Sequence, residues 1–240
     1  MILIKEGDSG SLVQMIQIAL IRAGFLNGAP DGLFGSQTKA AVRAFQSANG
    51  LNADGIVGIR TFEKLRKFLV GYTLHTIRQG DTLYEIAQKY GSTVALIENA
   101  NPNLSAENLR IGTRIIVPLN FSLVPTNISY NALLTEFIAE GLAVRYPFID
   151  VSVVGRSFMG KPLVLFKMGK GDKKVFANAS HHANEWITTP LLLKFVEEYA
   201  KGVVTATPMG ENSFEELFNK TTFYAMPMVN PDGVDLVTGA

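Results

Sequence analysis

One pattern occurs twice near the amino terminus: Asp31-Gly32-x-x-Gly35-x-x-Thr38 returns as Asp54-Gly55-x-x-Gly58-x-x-Thr61, 23 positions later. A self-similar segment this short commits the chain to a duplicated supersecondary unit before any other feature is considered. Each copy sets an Asp-Gly turn and a second glycine ahead of a helical stretch, at positions where glycine can take the positive φ that a Cβ disfavours. Apolar residues recur with the 3.6-residue period at Leu12, Ile16, Ala19, Leu20 and Ala23, then at Thr38, Ala41, Val42 and Phe45, then at Phe62, Leu65, Phe68 and Leu69. Three amphipathic helices around one small core are therefore predicted for residues 1–71. Gly24 and Gly50 stand where left-handed helix C-caps belong.

Residues 72–119 read as strand, helix, helix, strand. His75-Thr76-Ile77 is the first strand, and Gly80-Asp81 opens a helix whose Leu83, Ile86, Ala87 and Tyr90 share a face. Thr82 and Glu85 have capping-box spacing. Ser92 precedes a second helix carrying Val94, Ile97 and Ala100, Pro102 ends it, and Arg114 to Val117 return as a strand. His75 is read as a packed strand residue, not a metal ligand.

Residues 120–129 lack periodicity and are expected to be a linker. Beyond them, a helix from about Tyr130 buries Leu133, Leu134, Phe137, Ile138 and Leu142 and stops before Pro147. Runs at 149–154 and 163–168 flank Met159-Gly160 as a hairpin, and 174–179 and 223–229 are further buried-strand candidates. A leucine-rich helix begins after Trp186, while Asn230-Pro231-Asp232-Gly233 is expected to end the last strand. Helices alternating with such strands give an α/β domain with a mixed sheet over 130–240.

The chain has 240 residues, 22 basic against 21 acidic side chains for a net charge of +1, and no cysteine. The balance removes the usual electrostatic footprint of a nucleic-acid binder. Without cysteine there is no disulfide, thiolate site or Cys nucleophile, so a zinc site would have to use imidazole and carboxylate. His182 and Glu185 stand three residues apart just after a strand, a spacing that lets both donors reach one ion from a single turn. By itself this pair is equally compatible with a surface histidine beside a helix-starting glutamate. His181 cannot easily join it, because adjacent side chains in extended backbone point apart; an orienting role remains open to it, provided it does not face solvent. Glu197 and Glu198 are placed on the solvent face of their helix.

The stretches D-G-L-F-G-S-Q-T-K-A-A-V-R-A-F-Q at 31–46 and G-L-N-A-D-G-I-V-G at 50–58 resemble the peptidoglycan-binding-domain family of bacterial cell-wall enzymes. H-T-I-R-Q-G-D-T-L-Y-E-I-A-Q-K-Y-G, followed by N-P-N and I-G-T-R-I-I-V-P, resembles the lysin motif, LysM, which binds N-acetylglucosamine-containing glycans. That resemblance implies a sugar groove formed by Gly80, Asp81, Thr82 and Leu83, with Asn101 and Pro102 opposite, much of the contact being made by backbone. The order Y-P-x-I-D-V-S-V-V-G-R-S-F-M-G-K-P-L, H-A-N-E-W-I-T-T-P, M-V-N-P-D-G-V-D-L-V resembles the amino-terminal half of carboxypeptidase A-type zinc metallopeptidases, in particular the bacterial γ-D-glutamyl-L-diamino acid endopeptidases that cut peptidoglycan stem peptides.

The resemblance implies zinc as cofactor, with His182 and Glu185 as two of its ligands. It also implies that the third ligand, the general-base Glu and the substrate-binding Arg residues lie beyond Ala240. Asn184 replaces an Arg common in the digestive carboxypeptidases, so their substrate preference does not carry over. Two functions are expected: a zinc peptidase hydrolysing the γ-D-glutamyl to diamino acid bond (diaminopimelate or lysine), and a non-catalytic peptidoglycan-binding fragment, to which these 240 residues alone correspond more closely. Zinc binding by the chain alone is expected to be weak. The partner is peptidoglycan, glycan strands and stem peptides, at a cell wall or spore envelope. The apolar run Met1 to Ile4 is too short for a signal peptide and no stretch reaches the ~18 apolar residues of a membrane span, so a soluble chain with no export signal is expected. An exposed edge of an incomplete sheet would invite self-association.

Overall fold

The computed structural model describes residues 3–104, 107 and 109–240; Met1 and Ile2 of the short amino-terminal run lie outside the described residues. The repeat builds the expected trio of helices, α1 Ser11–Arg22, α2 Ser36–Ala48 and α3 Ile59–Val70. Gly24 and Gly50 have φ of 78° and 69°, the left-handed conformation that terminates a helix cheaply only for glycine. Each Asp-Gly turn is organised by a buried glutamine. Gln17 accepts from Gly32 N–H (2.8 Å) and donates to Asp31 Oδ1 (2.7 Å), Leu33 C=O (3.1 Å) and Thr38 Oγ1 (3.1 Å). Gln46 does the same for Gly55, Asp54, Ile56 and Thr61 at 2.9, 2.9, 2.9 and 3.1 Å. The repeat is thus a repeated hydrogen-bond cage whose Asp and Thr are two of its corners.

The second unit is β1 Tyr72–Thr76, α4 Leu83–Tyr90, α5 Val94–Ala100 and β2 Arg114–Pro118, the two strands pairing antiparallel from Tyr72↔Pro118 to Thr76↔Arg114. It has its own core of Ile77, Leu83, Ile86, Ala87, Ile97, Ile115 and Val117. Thr82 caps α4 by accepting from Glu85 N–H at 3.2 Å. Thr93, just after Ser92, caps α5 by accepting from Leu96 N–H at 3.2 Å.

In the third unit α6, Ala132–Arg145, is followed by the hairpin β3 Asp150–Arg156 and β4 Pro162–Gly169, the strand β5 Lys173–Asn178 and the long helix α7 Thr188–Val204. A short hairpin, β6 Pro208–Met209 and β7 Asn212–Ser213, leads to α8 Phe214–Lys220, β8 Thr221–Met226 and α9 Pro231–Thr238. The sheet runs β3-β4-β8-β5, antiparallel except that β5 and β8 are parallel, which is the mixed sheet expected. Register places Phe166 beside Ala225 and Met168 beside Phe223. Phe195 and Tyr199 of α7 pack their rings on Phe223, so α7 covers that face.

Three expectations need correction. The run at 174–179 is not a buried strand: β5 is the sheet edge, with Val175 42% and Phe176 57% exposed, because among the described residues nothing pairs beyond it. Asn-Pro-Asp-Gly at 230–233 does not merely end a strand. Pro231 at the first turn and Asn230, whose side chain accepts from Gly233 N–H, start α9 instead. Glu197 is not on a solvent face, being only 3% exposed.

Segment 120–129 has no helix or strand, yet Leu123, Val124 and Ile128 belong to the same core as α1, α3, α6 and the sheet. Its carbonyls receive two guanidinium groups. Arg22 donates to Ser122 and Leu123 C=O at 2.8 and 2.9 Å, and Arg145 donates to Phe121 and Leu119 C=O at 2.8 and 2.6 Å. Glu197 closes the cluster by accepting from Leu123 N–H (2.5 Å), Ser122 Oγ (2.7 Å) and Lys194 Nζ (2.8 Å). Burial raises the carboxyl pKa of Glu197, but those donors outweigh it and hold it below the ordinary value. Helix α6 explains why the first and third units fuse. It is apolar almost all round, as a helix buried on several sides must be. Phe137 meets Phe62 of α3 at 6.0 Å, and Gly141 lies so close to Val70 C=O that a Cβ there would be 2.2 Å from the oxygen.

Candidate functional site

At the end of β5 the chain turns sharply at Ser180, buried and at φ 47°. A single 3₁₀ turn follows, Ala183–Glu185, with His182 before it. The turn brings the two predicted ligands together: His182 Nδ1 lies 3.1 Å from Glu185 Oε1, with the side chains 74% and 52% exposed. Two donors about 2.1 Å from one tetrahedral ion stand roughly 3.4 Å apart, so this spacing fits a shared zinc ion with little adjustment. The hydrogen bond with His182 holds the Glu185 carboxyl below its ordinary pKa. Trp186 packs against the domain core, and Gly233 of α9 stands against Ala183, where a Cβ would be 2.9 Å from the alanine methyl.

His181 is exposed, its ring edge-on to His182 at 5.1 Å, and makes no hydrogen bond among the described residues. Facing solvent, it does not orient the pair. Among the described residues no group of three His, Cys, Asp or Glu side chains is placed to hold one ion.

In the second unit His75 is buried, with Nε2 2.7 Å from Asp81 Oδ2 and Nδ1 3.1 Å from Tyr90 Oη. It is a packed strand residue, as expected. That bond and Arg78 N–H at 2.7 Å depress the Asp81 pKa. Asn101 is also occupied, donating to Ile97 and Ile116 C=O and accepting from Ile116 N–H at 3.0 Å. Leu83 is buried, while Gly80, Thr82 and Pro102 are exposed. Side chains of Asp81 and Asn101 therefore shape loops, leaving Gly80, Thr82 and Pro102 as the outward-facing positions.

Sequence reasoning missed the residues that support these positions. Gln17 and Gln46 precede their turns by 14 and 8 residues, so they do not share the 23-residue shift that reveals the repeat. Ser180 lies outside the quoted motifs, and Thr188 and Thr189, though inside the stretch at 182–190, carry no spacing that points to their hydrogen bonds.

Comparison with known families agrees with this architecture unit by unit. Residues 9–65 match the model of a peptidoglycan binding domain, 75–118 the LysM domain, and 135–239 the zinc carboxypeptidase family. The chain thus carries, in order, segments matching a peptidoglycan binding domain, a LysM domain and the zinc carboxypeptidase family. Among its relatives is gamma-D-glutamyl-L-diamino acid endopeptidase 1 of Lysinibacillus sphaericus, 37% identical over 67% of this chain and 54% of that protein. Carboxypeptidase B of Astacus astacus is 34% identical over 39% of this chain and 30% of its own length. Among solved structures the SleB N-terminal domain is 41% identical over 28% of this chain and 90% of that one, with a TM-score of 0.27. The chain spans about half or less of the length of the two relatives just named.

Proposed function

We propose that the chain is the wall-binding and metal-anchoring part of a zinc peptidase acting on the γ-D-glutamyl to diamino acid bond of peptidoglycan stem peptides. The observation that carries it is the convergence of His182 Nδ1 and Glu185 Oε1 at 3.1 Å, within a segment of zinc carboxypeptidase type. Both would serve as zinc ligands. Bound zinc polarises a carbonyl and lowers the pKa of its water to roughly 7. The rest of this chain positions that site. The peptidoglycan-binding domain is fused to the α/β domain through α6 and the Arg22–Glu197–Arg145 cluster, so it holds the metal pair at a fixed offset from the wall. The LysM unit adds a second contact through Gly80, Asp81, Thr82 and Leu83 with Asn101 and Pro102, and two weak contacts on one body reinforce each other through effective concentration.

A second reading is that the 240 residues acting alone bind wall without cutting it; it is supported by His182 and Glu185 standing together while, among the described residues, no group of three His, Cys, Asp or Glu side chains is placed to hold one ion. Both are tested on insoluble peptidoglycan and purified muropeptides. Retention of the chain, weakened by substitution at Gly80 or Asp81, is expected. Cleaved stem peptide, abolished by a chelator and by His182→Ala, is expected from a longer polypeptide that contains this segment. Failure of the chain to be retained would overturn the wall-binding role. Cleavage indifferent to His182→Ala would overturn the metal role.

A further inference from the structure

The two zinc-facing side chains are solvent-exposed, so something other than burial must keep them in register. The main chain beneath them is pinned by three hydroxyls. Thr188 Oγ1 donates to Glu185 C=O at 2.8 Å and accepts Ser180 N–H at 2.8 Å. Thr189 Oγ1 donates to Pro227 C=O at 2.6 Å and receives the Ser180 hydroxyl at 2.6 Å. The carbonyl of Ser180 accepts Asn230 N–H at 3.0 Å, and Asn230 is the cap of α9. The Ser180 hydroxyl also lies 3.3 Å from Glu185 C=O, so both ends of the 182–185 turn are tied, one to the first turn of α7 and the other to α9 and, through Thr189, to Pro227 just past β8.

Ser180 is also buried at φ 47°, a region that glycine enters without cost and a residue with a Cβ enters only under strain. A glycine would fit the bend better but would have no hydroxyl to offer Thr189. We propose that Ser180, Thr188 and Thr189 are positioning residues that preset the His182–Glu185 separation before any ion arrives. The inference rests on the assignment of that pair as zinc ligands. These three residues do not touch the ion or a substrate; they act through the carbonyl of Glu185 and the bend that launches His182.

The test uses the 240-residue chain with two readouts. Side-chain ¹⁵N shifts of His182 in the metal-free protein report its hydrogen bond to Glu185, with Glu185→Ala, which has no acceptor, marking the shifts of the broken bond. Cobalt(II) titration followed by absorbance reports affinity. Thr188→Val, which keeps the shape and drops the hydroxyl, should move the His182 signals toward those of Glu185→Ala and weaken cobalt binding by about tenfold or more, the usual effect of losing a group that orients a ligand. Thr188→Ser should restore both. Should Thr188→Val fail to fold, Ser180→Gly relieves the bend while removing the hydroxyl, and the same displacement of His182 is expected. Wild-type signals in a folded Thr188→Val or Ser180→Gly chain would overturn the positioning role. A wild-type chain that takes up no cobalt would overturn the ligand assignment instead, while the metal-free spectra still judge the three hydroxyls.

Discussion

Replacing Glu197 with glutamine tests whether segment 120–129 is a clamp or a tether. Glu197 is 3% exposed and accepts three hydrogen bonds, from Leu123 N–H, Ser122 Oγ and Lys194 Nζ. Arg22 and Arg145 lie close enough to feel its charge, and burial lowers the Arg22 pKa to about 10. The amide keeps the volume and one acceptor for Leu123, but it removes the charge that these cations face and turns a donor toward Ser122 or Lys194. Truncating one member of a buried charged cluster costs about 3–5 kcal/mol, and the retained acceptor brings the expectation to the lower end, about 3 kcal/mol. For a chain of this size that is a drop of roughly 6–12 °C in Tm.

The pH dependence gives a second, independent check. Because the folded-state pKa of Glu197 is depressed, its contribution is complete above the ordinary value of 4.5 and is lost as pH falls through the lower folded value. Other carboxylates titrate in both proteins and cancel. The stability gap between wild type and Glu197→Gln, measured by urea unfolding followed by circular dichroism, should be full at neutral pH and close on acidification. An unchanged Tm at pH 7, or a gap that persists unaltered into acid, would refute the clamp.

Gly141→Ala should destabilise the junction by about 1–3 kcal/mol, since the new methyl would stand 2.2 Å from the backbone oxygen of Val70, which no rotamer change can move; thermal unfolding reads this directly. Gln17→Leu and Gln46→Leu should each cost about 3 kcal/mol, because each leaves a glycine N–H and two or more turn groups unpaired; similar losses from the two substitutions would confirm that the cages are equivalent. His182→Ala and Glu185→Gln, both at exposed side chains, should leave the melting temperature where it was while weakening zinc binding in calorimetry at least tenfold. A matching loss of stability would mean that the pair is structural.

Much of the molecule was legible in the chain itself. The doubled Asp-Gly turn, the 3.6-residue periods and the capping residues are local signals, and local energetics decide such elements, so α1 to α5 and the first two strands lie close to their expected places. The spacing of His182 and Glu185 was likewise readable, because a three-residue separation acts within one turn. What could not be read depends on partners distant in sequence. Gln17 looks like a surface polar residue until Gly32 and Thr38 close around it. Glu197 looks solvent-facing until Leu123, 74 positions away, presents its amide. Segment 120–129 looks like a tether because its apolar residues follow no period, yet Leu123 fills space between units and its neighbours' carbonyls take two arginines. The sequence by itself pointed to three successive segments and to a histidine and a glutamate three residues apart. Only tertiary packing decided that the first and third modules are one body and that three hydroxyls fix the pair, because burial and hydrogen-bond closure are properties of the assembled chain and not of any single stretch of it.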